Sequence, residues 1–309
     1  MAGLKELRTR IDAIKSTQKI TSAMKMVAAS RLRRVQILVD KNQGYSENLR
    51  RSALRVKMEI EAEEKAKNIR FIRPTLLQAK ANPQKYTLYV LSSDRGLCGA
   101  YNSNAAKCAA QRINELQNAG KIVKVICVGK KAYDTLRRMF RDSNISIERM
   151  VLDAHNLSYP KAAAKIASQV LNAFQNGEFD VCEFAYAQFV SAISRNFVCE
   201  QVCPLDLNSE HLPEEQLQLI NRSGDAFYEY LPDKLMLLTN ILPILFNDNI
   251  FKILVNAAAS EHGARMSSMD SATRNAKKMI SELTLKYNSL RQSAITTELI
   301  EIIAGAEAI

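Results

Sequence analysis

Histidine is scarce. Only His155, His211 and His262 occur in 309 residues, far apart and without the spacing of metal ligands, so no metal centre is expected. Cysteine is present but builds no framework. Cys98, Cys108, Cys127, Cys182, Cys199 and Cys203 lie scattered through apolar stretches, unlike the dense scaffold of a small secreted domain, which points to a reducing compartment. Cys199 and Cys203 share a strand-like segment, but two ligands do not complete a zinc site, and ordinary buried cysteines are expected. No signal sequence is expected, because Met1-Ala2-Gly3-Leu4-Lys5-Glu6-Leu7-Arg8 enters a charged amphipathic pattern with no apolar middle. The most apolar stretch, Leu235 to Phe246, contains Asn240 and Pro243 and is shorter than the roughly 20 residues a bilayer-spanning helix needs, so a soluble or peripheral chain is expected. No short motif joins a serine to a base and an orienting acid, which argues against catalysis by this chain alone.

Proline is also absent before Pro74, which leaves room for one long helix. Alternating steps of three and four from Leu4 pass through Leu7, Ile11, Ile14, Gln18, Thr21, Lys25, Ala28, Leu32, Val35 and Val39 to Ile60, a heptad seam. Between Gln18 and Lys25 the seam is polar, and Ile20, Met24 and Val27 are expected to carry the apolar stripe sideways. About 60 residues at 1.5 Å each give a rod of roughly 90 Å. A second seam runs through Val255, Ala259, His262, Met266, Met269, Thr273, Ala276 and Ile280 toward Ala294, then drifts onto Ile295, Leu299 and Ile302. Here His262 reads as a polar residue in a helix interface. Two long seams in one chain most simply pair with each other as an antiparallel left-handed coil; pairing of each with a second copy is the alternative.

The net charge of +11 is concentrated at one end: residues 1–60 carry fourteen Lys or Arg against five Asp or Glu. That asymmetry implies an acidic partner, whether nucleic acid, anionic lipid or an acidic protein surface, unless the face is simply solvated. Nucleic acid fits poorly, since Tyr45 is the only aromatic residue in the first helix and no DNA-reading module is present.

Between the seams, Tyr86–Leu91 and Val123–Val128 read as buried strands, each followed by a helix, at about Asn102–Asn118 and Lys130–Phe140. A helix at Tyr159–Gln175 precedes strands at Val181–Phe189 and Asn196–Val202. The alternation predicts an open, mainly parallel, Rossmann-like α/β sheet. Breaks near Ile72-Arg73-Pro74 and between Pro204 and Pro232 divide the chain into an N-terminal coiled-coil helix (1–72), a central α/β foot domain (73–231) and a C-terminal coiled-coil helix (232–309). The loop Ser92-Ser93-Asp94-Arg95-Gly96-Leu97-Cys98-Gly99, followed by Asn102 and Ser103 as candidate caps, occupies the place where a doubly wound sheet binds phosphate. Yet Gly96-x-x-Gly99 is neither the dinucleotide fingerprint nor a phosphate loop with its lysine, and no cofactor is expected.

Three segments carry a resemblance. Leu4 to Ile11 with Lys19-Ile20-Thr21-Ser22-Ala23-Met24-Lys25-Met26-Val27-Ala28-Ala29, the loop Leu91 to Asn102, and Ser260-Glu261-His262-Gly263-Ala264-Arg265-Met266 with the terminal Ile295-Thr296-x-Glu298-x-x-Glu301-x-x-x-Gly305-Ala306-x-Ala308 resemble the gamma subunits of F-type ATP synthases over nearly the whole chain. Thr297 and Ser268 depart from residues common in that family. The resemblance implies a rotating, non-catalytic central shaft that couples proton flow to ATP synthesis and helps regulate ATPase activity. Its coil would enter a ring of three alpha and three beta subunits, and its foot would meet epsilon and the membrane c-ring. Contacts expected from the resemblance are Met24, Lys25, Arg31, Arg33, Arg34, Arg265, Met266, Thr273, Ile295, Thr296, Thr297, Glu298 and Glu301, with Asp94, Arg95, Gly96 and Gly99 in the foot loop. Lys25, Arg31, Arg33 and Arg34 are the expected complement of an acidic beta-subunit segment. The redox insertion of chloroplast members is not seen, and a bacterial subunit peripheral to the cytoplasmic face of the plasma membrane is expected.

Overall fold

A computed structural model describes residues 2–68, 71–143, 145–151, 158–207 and 229–307. Two helices dominate it. α1 (Ala2–Lys67) has 66 residues and α5 (Lys234–Glu307) has 74, which at 1.5 Å per residue makes them roughly 100 and 110 Å long. They run antiparallel, since Lys234 reaches Glu59 at 3.2 Å near one end while Thr273 meets Thr21 farther along. Every position of the α1 seam from Leu4 to Ile60 is buried or half-buried, so the heptad pattern holds along the helix.

At Gln18 to Lys25 the structure differs from the expected sideways shift. The seam continues straight, and Thr21 and Lys25 find partners across the coil. The Thr273 hydroxyl donates to Thr21 Oγ1 at 2.8 Å, and Lys25 Nζ lies 2.6 Å from Asp270 Oδ1. Ile20 and Val27 are left facing outward. Farther along, buried Asp248 accepts from Asn42 Nδ2 at 2.7 Å and from the Ser46 hydroxyl. Such polar rungs match in one alignment only, and so they fix a register in which an apolar seam alone is free to slip.

The segment between the two helices forms a sheet. β1 (Lys85–Leu91), β2 (Ile122–Val128), β3 (Ser146–Met150), β4 (Val181–Phe189) and β5 (Arg195–Cys203) lie in the order β3-β2-β1-β4-β5, parallel except for β5, which pairs antiparallel with β4. β3 escapes sequence detection because Ser-Ile-Glu-Arg-Met is a half-exposed edge strand rather than an apolar run. α2 (Tyr101–Asn118) and α3 (Lys130–Met139) cover one face. Leu88, Val90, Val125 and Cys127 point into that layer against Ala106, Ile113 and Leu136.

The opposite face is covered by α4 (Tyr159–Gln175) together with the coil itself. Tyr89 stacks on Phe184 with centroids 4.8 Å apart, and both join Ile166 and Val170 of α4, Leu54 of α1, and Leu242, Leu245 and Phe246 of α5. The rod and the foot therefore share one core. Pro243 lies inside α5 and costs roughly 3 kcal/mol of helix stability. Burial of Leu238, Leu242, Leu245 and Phe246 around it, at about 1.5–3 kcal/mol each, offsets that cost. This helix is long and apolar enough by composition to cross a membrane, but half of its most apolar window is buried in the protein, as in a core helix.

Candidate functional site

The loop after β1 uses its polar groups internally. Asp94 Oδ1 accepts from the backbone N–H of Lys130 at 3.0 Å, capping α3, and also approaches Arg149 at 3.3 Å. Asn102 Oδ1 accepts from Ser93 N at 3.1 Å and from the Ser93 hydroxyl at 2.9 Å. Gly129 closes the arrangement from the next loop. Its φ is +108°, and an added Cβ would lie 2.2 Å from the Ser92 carbonyl oxygen, which leaves no room for a side chain.

The same loop grips α5. Arg265 Nη2 donates to the carbonyls of Arg95 and Gly96 at 3.5 and 3.4 Å, and Gly99 faces Ser268. Tyr101, the first residue of α2, is buried and donates its hydroxyl to the Ala257 carbonyl at 3.2 Å, while the Ser260 hydroxyl donates to Ala187 O at 2.9 Å. The start of α2, where a doubly wound sheet would hold a phosphate, is thus packed against α5. The loop is a clamp between foot and shaft.

Two titratable residues sit at this clamp, Glu261 half-buried and His262 buried. Burial pushes the Glu261 carboxyl up, against the pull of Arg265, whose Nη1 lies 2.7 Å away. Burial pushes His262 down to about 4, with Arg265 and Arg31 adding to the shift, and its Nδ1 has no partner among the described residues. His262 sits on the seam as expected, in its neutral form. His155 and His211 lie outside the described residues. Unfolded, His262 takes up a proton below about 6.5, whereas folded it resists one until about 4. Its contribution is therefore fully present above the unfolded value and is lost as pH falls from about 6.5 to about 4, by roughly 3 kcal/mol in all. In urea melts across this range His262→Gln should show a shallower decline than the parent; parallel slopes would contradict the assignment. Comparing the two chains removes the contribution of the Glu261 carboxyl, which is present in both.

The remaining expected residues fall into three settings. Lys25, Met266 and Thr273 are engaged within the coil: Lys25 is paired with Asp270, Thr273 with Thr21, and Met266 packs near Leu32 and Val35. Arg31, Arg33 and Arg34 are exposed on α1. Met24, Val27, Arg31 and Arg34 border a groove of about 950 Å³ between the coil and the loop at Asp94–Leu97.

The end of α5 is the third setting. Carried down the coil, the register brings the start of α1 level with Gln292 and Ser293, so among the described residues α5 has no α1 partner from Ile295 onward. Ile295, Leu299, Ile300, Ile302 and Ile303 are between 49% and 68% exposed there. Thr296 and Thr297 turn their hydroxyls back to the carbonyls of Gln292 and Ser293 at 2.9 and 3.0 Å. The side chains of Glu298 and Glu301, and Ile309 altogether, lie outside the described residues.

Sequence reasoning missed Asp270, Asp248 and Tyr101. A seam lysine at Lys25 signals that an acid stands opposite, but which acid depends on the register. Nothing in the sequence marks Tyr101 as the residue that meets the shaft.

A rod of two long helices sharing a core with an α/β foot defines a shaft-like subunit, built to hold shape over distance. The ATP synthase family model matches residues 3–309. The chain is 40% identical over 309 residues to the ATP synthase gamma chain of Sinorhizobium medicae and 42% identical over 309 residues to that of Methylobacterium nodulans, with both sequences covered completely in each case. The fold is similar to a chain of the Euglena gracilis mitochondrial ATP synthase in an OSCP/F1/c-ring structure, with TM-score 0.62, 18% identity and coverage of 99% of this chain and 94% of that one. A chain of the Tetrahymena thermophila central stalk/c-ring matches with TM-score 0.54 and 23% identity, over 82% of this chain and 99% of that one. The chain belongs to the ATP synthase gamma family, and so is a non-catalytic subunit of an ATP synthase.

Proposed function

We propose that the chain turns inside a ring of three alpha and three beta subunits, with residues 1–72 and 232–309 as the shaft and 73–231 as the foot toward epsilon and the c-ring. The observation that carries this reading is the overhang of α5, where five isoleucine and leucine side chains are exposed on a single unpaired helix. An apolar end of this kind is stable when surrounded by an apolar sleeve, and it can turn there with few directional bonds to break. The polar rungs at Thr21–Thr273, Lys25–Asp270 and Asn42–Asp248 support a role in torque, because twisting one helix past the other would break them together.

Exposed Arg31, Arg33 and Arg34 form the charged flank proposed to meet an acidic partner surface. Lys25 contributes less, since Asp270 already pairs it. The asymmetric shaft then biases each catalytic subunit in turn among its conformations. The bacterial relatives support a position on the cytoplasmic side of the inner membrane.

Reconstitution provides the test. Alpha and beta subunits mixed with this chain should hydrolyse ATP well above the rate of alpha and beta alone, and an equal rate would sink the reading. Replacing Ile295 and Leu299 by aspartate should abolish most of that gain while leaving the foot folded. Full activity in that variant would remove the overhang from the contact surface.

A further inference from the structure

The six cysteines are not equivalent. Cys98, Cys127, Cys182 and Cys203 are buried, while Cys108 and Cys199 are half-buried. Cys182 and Cys203 stand opposite each other in the β4–β5 ladder, and burial raises both thiols, Cys203 to about 12, which keeps them protonated and closed to reagents. Cys199 meets a different residue. It projects from β5 toward α2, where its sulfur lies 3.7 Å from Cys108 Sγ.

We propose that Cys108 and Cys199 form a thiol–disulfide exchange site that accepts low-molecular-weight disulfides and closes into a bond between α2 and the edge strand β5. A disulfide requires sulfurs about 2.05 Å apart, so the pair must close by about 1.65 Å, within reach of side-chain rotation and a small shift of a strand that has one neighbour among the described strands. Among the described strands β5 is the antiparallel edge of the sheet.

The environment assigns the order of steps. The hydrogen bond from Cys199 lowers the Cys108 thiol to about 7, whereas that same partnership and burial raise Cys199. Cys108 is thus the attacking thiolate. Its sulfur attacks one sulfur of a small disulfide RS–SR, the S–S bond breaks, and RS⁻ leaves as a mixed disulfide forms on Cys108. Cys199 then gives its proton to the first departing thiolate and attacks Cys108 Sγ, expelling the second RS⁻, which takes back from water the proton that Cys108 released on becoming a thiolate. Two protein thiols are oxidised to one disulfide, and RS–SR is reduced to two RSH.

The bond would also affect the clamp. Phe197, two residues along β5 from Cys199, packs on Tyr101 with centroids 6.0 Å apart, and Tyr101 is one of the foot residues that bond to α5. Closing the disulfide ties this strand to α2 and stiffens the grip of foot on shaft. The site rests on geometry alone and holds whether or not the rotary reading does.

Oxidised glutathione added to the purified full-length chain at mildly alkaline pH tests the site. Two of the six thiols should disappear, digestion should yield a peptide joining Cys108 to Cys199, and dithiothreitol should restore both thiols. Cys199→Ser should trap glutathione on Cys108, since the second attack is then missing. Retention of all six thiols, or a bridge at Cys182–Cys203 instead, would overturn the proposal. Cys108→Ser provides a second check: glutathione appearing on its Cys199 as fast as on Cys108 of the Cys199→Ser chain would refute the order of attack.

Discussion

Replacing Arg33 and Arg34 by glutamate is expected to lower ATP-driven proton pumping in membrane vesicles by about tenfold while leaving the chain folded. Both side chains are exposed on α1, away from the seam residues Leu32 and Val35 that bury it. Exposed substitutions of this kind change stability by about 0.5 kcal/mol or less. Function should respond far more strongly, because a reversed charge meets an acidic partner as a like charge, and such juxtaposition costs several kcal/mol. The control is Lys25→Met, which removes a cation already paired with Asp270 at 2.6 Å. That change should act on the coil, lowering its melting temperature more than the arginine pair does, with less effect on pumping at a temperature where both fold. Undiminished pumping by the arginine variant would detach this flank from coupling.

Replacing Arg112 by methionine is expected to destabilise the foot by about 3 kcal/mol or more. Arg112 of α2 holds Glu183 of β4 through two parallel bonds, Nε to Oε2 at 2.8 Å and Nη2 to Oε1 at 2.7 Å. Glu183 is only 5% exposed, so without its partner it becomes an uncompensated charge inside the sheet layer. The second acid near Arg112, Glu115 at 3.1 Å, is exposed and adds at most about 1 kcal/mol. The double replacement Arg112→Met with Glu183→Leu removes both charges and should recover most of the loss. Urea unfolding of the three chains decides it: if the double variant is no more stable than Arg112→Met, the loss lies in packing by the arginine stem.

Much of this architecture was legible because the seams repeat. Leu4 to Ile60 announces a helix interface whichever partner fills it, and α1 buries that face. The strands at β1, β2 and β4 could be read because layers on both sides make them continuously apolar. β3 could not, since an edge strand that is half in water carries Glu148 and Arg149 as readily as apolar residues. The polar stretch from Gln18 to Lys25 was misleading for a related reason. Periodicity rewards apolar residues, and it pointed to Ile20 and Val27, but the polar seam residues already had partners on a helix some 250 positions away in sequence.

The loop from Ser92 to Gly99 shows the same boundary. Its glycines and its place after a strand suggest a phosphate site, and its lack of a fingerprint argues against one, but neither reveals that Arg265 and Tyr101 bind it to α5. The sequence by itself determined the family, the two long helices, the direction of the sheet and the concentration of positive charge on α1, because these depend on local periodicity and composition. Only the tertiary structure decided which polar residues lock the coil, that α5 occupies the end of the sheet, and that Cys108 rather than Cys203 faces Cys199, because each depends on groups that distant parts of the chain bring within a few ångströms.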